Sequence, residues 1–298
     1  MAPAFGAQSM VAPLGAVAVK RPREAWRSAS RIQAEWKTLG YLSCPDLGRA
    51  EREHARFVSL LSAFGAEIVY LPADPATGLD SIYTHDSALF TNAGALILQT
   101  GKIARRGEAA AFQRLCAARQ IPILGFVEKE ATAEAGDLLW LDSRTLIVGR
   151  SFRTNDAGVH CLEQLLEPLG ITVVSVDLPH SGGPSEVLHL MSLISLLDVD
   201  LAIVYRPLLP IRLVELLEAR GIDLLDTPEE EYRSLGTNVL ALSPRNLVMV
   251  AGNPVTRRRL ETTGCRVSQF EGREICRTGA GGPTCLSRPL WRKAQLEL

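Results

Sequence analysis

Pairs of short apolar runs, each pair joined by a polar turn, recur along this 298-residue chain. Asp86-Ser-Ala-Leu-Phe is followed by Ala95-Leu-Ile-Leu, and Asp137-Leu-Leu-Trp by Thr145-Leu-Ile-Val. Further on, His189-Leu-Met-Ser-Leu is followed by Leu201-Ala-Ile-Val, and Asn238-Val-Leu-Ala by Leu247-Val-Met-Val. Runs of this length, separated by turns such as Asn92-Ala-Gly94, Asp142-Ser143 and Ser243-Pro-Arg-Asn246, predict strand pairs. After each pair the apolar spacing changes to three and four residues, which predicts a helix, and a final short apolar run predicts a third strand. The helices run through Glu108 to Leu115, around Leu162 to Leu166, from Ile211 to Gly221 and from Pro254 to Gly264. The strands after them are Ile121 to Phe126, Ile171 to Asp177, Asp223 to Asp226 and Arg266 to Phe270. Upstream, a strand from Gly15, a helix from Pro45 to Gly65 and a strand from Ala66 form an incomplete unit of the same kind. The turn His180-Ser-Gly-Gly-Pro184 leads into the fourth.

The leading residues Asp86, Asp137, His189, Asn238 and then Cys285 stand 51, 52, 49 and 47 positions apart. Repetition at this period signals stacked or ring-like supersecondary units. Five strand–strand–helix–strand units with short local connections predict a closed α/β propeller, completed when the piece holding Cys285 pairs with the strand from Gly15. On this reading residues 1–14 are a loose leader and 15–298 one domain. If the ring closes, equivalent strand starts face its axis, so two carboxylates, an imidazole and a thiol meet there.

Composition is consistent with this picture. An apolar content of 47% with 22% charged residues is that of a globular chain with an ample core, and a net charge of −1 offers no attraction for nucleic acid or an anionic membrane. No apolar segment reaches the roughly 18 residues needed to span a bilayer, and no export signal is evident, so the expected location is cytoplasmic. The six cysteines lack C-x-x-C spacing, which argues against zinc and a disulfide framework. Cys285 differs from the others in its setting, Gly279-Ala-Gly-Gly-Pro-Thr-Cys-Leu-Ser-Arg-Pro-Leu290, where glycines allow close backbone approach and hydroxyls and a cation stand near the thiol.

The motifs THDSALF with Asp86, the pair at Arg105, EAGDLLW with Asp137, VGRSFRTN with Arg153, LHLMS with His189 and GGPTCLSRPL with Cys285 together resemble the dimethylarginine dimethylaminohydrolase family of the pentein superfamily. The resemblance runs from Gly15 to Trp291 and implies a five-bladed pentein domain that hydrolyses N-methylated arginine to citrulline and an alkylamine. Thiolate suits a guanidinium carbon, a poor electrophile with delocalised charge, and a bound cation favours thiol ionisation. The resemblance assigns Cys285 as nucleophile, His189 as general acid then base, Asp86 as guanidinium binder, and Asp137 as the group orienting His189 and assisting with the cation. Arg105 and Arg153 would hold the substrate α-carboxylate, Asp80 would approach its amino group, and His85 would border the pocket. Arginine deiminases and amidinotransferases, relatives in the superfamily, carry an Asp two residues after the His; here Met191 leaves apolar room for methyl groups. These relatives are the alternative enzymes, and a pentein used as a binding module is the non-enzymatic one. A small guanidino substrate is the expected partner, no cofactor or metal is required, and the sequence leaves open a homodimer.

Overall fold

The computed structural model describes residues 4–183 and 186–293; residues 1–3 of the expected leader, Pro184 of the expected turn and residues 294–298 lie outside that range. The chain opens with β1 (Leu14–Val19), followed by helices α1 (Pro22–Trp26), α2 (Ala29–Glu35) and α3 (Leu47–Phe64), then β2 (Glu67–Tyr70). Helix α3 starts where the Asp46 side chain accepts from the Arg49 N–H at 2.6 Å and stops at Gly65, whose φ of 96° lies in the left-handed region. The second unit is β3 (Ala88–Phe90), β4 (Ala95–Leu98), α4 (Ala109–Ala118) and β5 (Ile123–Val127), and the third β6 (Leu138–Asp142), β7 (Thr145–Arg150), α5 (Asp156–Leu166) and β8 (Thr172–Asp177). A one-turn helix α6 (Leu190–Leu193) precedes β9 (Ile194–Asp198), β10 (Leu201–Val204), α7 (Ile211–Ala219) and β11 (Asp223–Asp226). The fifth unit follows helix α8 (Glu229–Tyr232) with β12 (Leu240–Ser243), β13 (Asn246–Val250), α9 (Pro254–Thr262) and β14 (Arg266–Phe270), and β15 (Arg288–Arg292) ends the described chain.

These strands form five three-stranded sheets. In each, the first two strands pair antiparallel and the second and third pair parallel across a helical connection. The N-terminal sheet has the order β15-β1-β2, so its antiparallel strand comes from the other end of the chain. Four apolar clusters link all five sheets. One joins Leu139 and Ile147 to Ile203 and Leu247, a second joins Val248 and Phe270 to Leu14 and Val17, a third joins Leu89 and Leu96 to Leu138 and Trp140, and a fourth joins Ala16 and Leu290 to Ala88 and Phe90. Each sheet thus buries a face against both neighbours, and the ring closes as a five-bladed α/β propeller of the pentein type. Among the described residues no helix is long and apolar enough to cross a membrane.

Two expectations need correction. The leader is not loose from Ala7 onward: Ala7, Val11 and Ala12 are buried, and the Gly6 N–H donates to the Leu290 carbonyl at 2.9 Å while the Gly6 carbonyl accepts from Arg292. Small residues let this segment lie against the last strand. Nor does His189 open a strand directly, because α6 intervenes before β9, and Cys285 lies in a turn that precedes β15.

Candidate active site

The strand starts do converge. Asp86, just before β3, is buried, with Oδ1 accepting from the Gly136 N–H at 3.0 Å and Oδ2 from Arg105 Nη1 at 2.6 Å. Gly136 lies in the tight turn before β6, and a Cβ there would stand 2.5 Å from His189 Nδ1 and 3.0 Å from Asp86 Oδ1. Only glycine lets the imidazole and this carboxylate approach the turn so closely. His189 caps α6, and its Nε2 meets Glu134 Oε2 at 2.6 Å, both side chains being almost wholly buried. Cys285 alone in the stretch 281–290 keeps partial exposure, and its Sγ accepts from Asn238 Nδ2 at 3.6 Å. The glycines before it make room for an aromatic ring: a Cβ on Gly281 would collide with Tyr83.

Electrostatics set the resting charges. Burial alone would raise Asp86, but Arg105 and then His189 outweigh it and hold this carboxyl well below the usual range. Burial also opposes ionisation of Glu134, and the hydrogen bond and charge of His189 reverse that, so it stays an anion. Burial would depress His189; the charge of Asp137, then those of Asp86 and Glu134, lift it to about 9. The Cys285 thiol, by contrast, is pushed up to about 11 by burial and by the charge of Asp86. At neutral pH the site therefore holds a neutral thiol, an imidazolium and the carboxylates of Asp86, Glu134 and Asp137.

Asp86, Asp137, His189 and Cys285 are thus brought to one place, but Asp137 is not the acid that grips His189. Its Oδ2 accepts from Ser151 Oγ and Thr154 Oγ1, each at 2.7 Å, and its Oδ1 from the Leu190 N–H at 2.9 Å. It anchors the first turn of α6, and burial pushes its carboxyl up to about 6. Glu134, unassigned from sequence, takes the contact with His189 and also accepts from Arg153 Nη1 at 3.2 Å. Arg105 is engaged as well, bidentate on Glu108 and bonded to Asp86 and the Tyr83 carbonyl, so it does not stand free for a carboxylate ligand. Asp80 pairs with Lys102 Nζ at 2.6 Å. Close by, the hydroxyls of Tyr41 and Tyr83 are buried with no hydrogen-bond partner among the described residues. His85 is turned out of the cluster: its Nδ1 donates to the Ser287 carbonyl at 2.8 Å and its Nε2 faces Arg288. Asn238, the leading residue of the fifth repeat, is the side chain that bonds the Cys285 sulfur and also accepts from the Thr284 N–H at 3.1 Å.

Ligand atoms of Asp86, Glu134 and His189 lie within 4.8 Å of one another, a spacing that a metal ion could bridge. In the structure these carboxylates are paired instead with Arg105, Arg153 and the His189 imidazolium.

Comparison with known proteins places this site in context. The family profile described as arginine deiminase matches residues 79–220 and 207–292. An N(G),N(G)-dimethylarginine dimethylaminohydrolase of Streptomyces coelicolor is 34% identical over 248 residues, covering 81% of this chain and 86% of that protein. An arginine deiminase of Mycoplasma capricolum is 28% identical over 204 residues, which is 57% of this chain but only 49% of the deiminase. A cysteine-to-serine mutant of DDAH from Pseudomonas aeruginosa, complexed with citrulline, superposes with a TM-score of 0.75 at 25% identity over 93% of this chain and 99% of that one.

Proposed function

This chain belongs to the arginine deiminase family, as a pentein hydrolase of the dimethylarginine dimethylaminohydrolase type acting on the guanidino group of arginine derivatives, and from that premise we propose that its substrate is N-methylated arginine. The observation that carries the choice is Met191, an apolar and buried side chain two positions after His189, where the deiminase pattern of the sequence resemblance has an acid. A second anion there would favour an unsubstituted guanidinium; a thioether tolerates methyl groups. Coverage agrees, since the chain is collinear with nearly all of a dimethylarginine hydrolase and with half of a deiminase.

In this reading the substrate cation docks against Asp86 and Glu134, which replaces water by fixed carboxylates around a delocalised charge. Its arrival lowers the Cys285 pKa, because a positive charge beside the sulfur favours thiolate. Sulfur adds to the guanidinium carbon, the C–N bond to the methylated nitrogen breaks, and the imidazolium of His189 protonates the departing amine. Water then attacks the S-linked amidino carbon, His189 takes its proton, and the C–S bond breaks to leave citrulline and the thiol. Glu134 orients His189 and sustains its positive charge, and Arg105 keeps Asp86 ionised. The Lys102–Asp80 pair, with Tyr41 and Tyr83 beside it, receives the amino-acid end of the substrate.

Mass spectrometry of products from asymmetric dimethylarginine, monomethylarginine and arginine tests this, using the intact protein and Cys285→Ser. Citrulline with dimethylamine or methylamine, lost in the variant, is expected. Citrulline formed from arginine alone would make the enzyme a deiminase and overturn the substrate assignment.

A further inference from the structure

Beside the reactive cluster the ring encloses a small cavity of about 20 Å³, lined by His85, Met191, Ser195, Thr284, Arg288 and Arg292 among others. Its walls come from four of the five blades, which places it on the propeller axis. Arg288 and Arg292 are 4% and 6% exposed, and neither is paired with a carboxylate among the described residues. Their hydrogen bonds go to neutral carbonyls: Arg288 Nη1 to His85 at 3.1 Å, and Arg292 Nη1 and Nη2 to Ala12 and Ala241 at 2.5 and 2.9 Å. The Nε atoms of both arginines and Thr284 Oγ1 are buried with no hydrogen-bond partner among the described residues. His85 adds no third positive charge, since burial and Arg288 hold its imidazole neutral, with a value of about 3. Asp86, whose charge reaches Arg288, is bound to Arg105.

Two buried guanidinium groups without counter-charge are costly, and burial depresses them only to about 10 and about 9, so both remain cations at neutral pH. Unsatisfied N–H donors, like charges and a closed space together lack an anion. We propose that this axial cavity binds one small monovalent inorganic anion of the halide class between Arg288 and Arg292, with the Thr284 hydroxyl as an added donor. The volume suits about one or two water-sized particles, which favours chloride over phosphate or a carboxylate-bearing metabolite. Arg288 and Arg292 take no part in the guanidino chemistry described above, and the inference does not depend on which arginine derivative is the substrate.

Two measurements on the whole protein test it: anomalous scattering from crystals grown in sodium bromide, and thermal melting in sodium chloride against sodium gluconate at equal ionic strength. A bromide peak between Arg288 and Arg292 is expected, with a melting temperature about 2 °C or more higher in chloride, because a ligand of the native state alone stabilises it. In Arg292→Met the salt-type difference should vanish. Absence of the peak, or equal melting of the unmodified protein in the two salts, would overturn the proposal. Should Arg292→Met fail to fold, those two measurements on the unmodified protein decide the matter.

Discussion

Replacing Glu134 by Gln keeps the shape of the side chain but removes the charge that meets His189 Nε2 at 2.6 Å. A buried hydrogen bond to a charged group contributes about 1.5–3 kcal/mol, and one pKa unit corresponds to about 1.36 kcal/mol, so the His189 midpoint should fall by about one to two units from its value of about 9. The other anions near the imidazole, Asp137 and Asp86, remain and keep the fall from being larger. The assay is a heteronuclear NMR titration of histidine-labelled protein between pH 5 and 10, with the His189 resonance assigned by its loss in His189→Asn. The same displacement should show on the alkaline limb of kcat/KM. Stability gives a second readout whose sign can be worked out. The raised value of His189 means its share of the pair's stabilisation is complete below its ordinary 6.5 and is lost as pH rises through about 9. Glu134, with its folded value below the ordinary 4.5, contributes above that point and loses it as pH falls. The deficit of Glu134→Gln in urea unfolding should therefore be largest near pH 5 to 6.5 and shrink towards pH 10. A His189 midpoint still near 9 in the variant would refute the assignment and return the orienting role to Asp137.

Two further changes probe the neighbouring contacts. In Gly136→Ala the new methyl group would press on His189 Nδ1 and Asp86 Oδ1, and kcat should fall by about 100-fold or more while the far-ultraviolet dichroism is unchanged; turnover like that of the unmodified enzyme would show that the ring has room to move. Arg105→Gln strands Asp86 and Glu108 without their shared cation, so urea unfolding should reveal a loss of about 3–5 kcal/mol, and a loss below about 1 kcal/mol would mean that the carboxylates find other partners.

Units two to five are legible because each is built from local signals: an apolar pair, a turn, a helix and a third strand within about fifty residues. That regularity also revealed the meeting of Asp86, Asp137, His189 and Cys285. The same regularity drew attention to the wrong acid in Glu134-Ala-Gly-Asp137, because Asp137 holds the repeat position. The tight turn at 135–137 directs Asp137 to the start of α6 and leaves Glu134, three residues earlier, against the imidazole. The glycine between them was the available signal, since it marks a close approach. Asp80 looks free in the sequence because nothing beside it announces Lys102, and Arg105 because its bonds reach beyond Glu108, three positions on, to the distant Asp86 and Tyr83. Adjacency to Asp86 suggests a place in the pocket for His85, but the two residues share a turn before β3, and there the imidazole bonds the Ser287 carbonyl, 202 positions away in sequence. The leader misled for a different reason: its partner is β15, more than 270 positions away.

The pairing of β1 with β15 also sets an order of events during synthesis. β1 is buried along its whole length in the finished ring, yet until residues 288–292 emerge from the ribosome it can pair only with β2 and presents an open apolar edge. Such edges invite association with other chains, and contacts spanning most of a sequence form slowly. The first blade to be translated is thus the last to be finished. Asp86, Glu134 and His189 are in hand long before Cys285, so a nascent chain carries the acids and the imidazole without the thiol, and the reactive centre comes into being in the same step that shuts the ring.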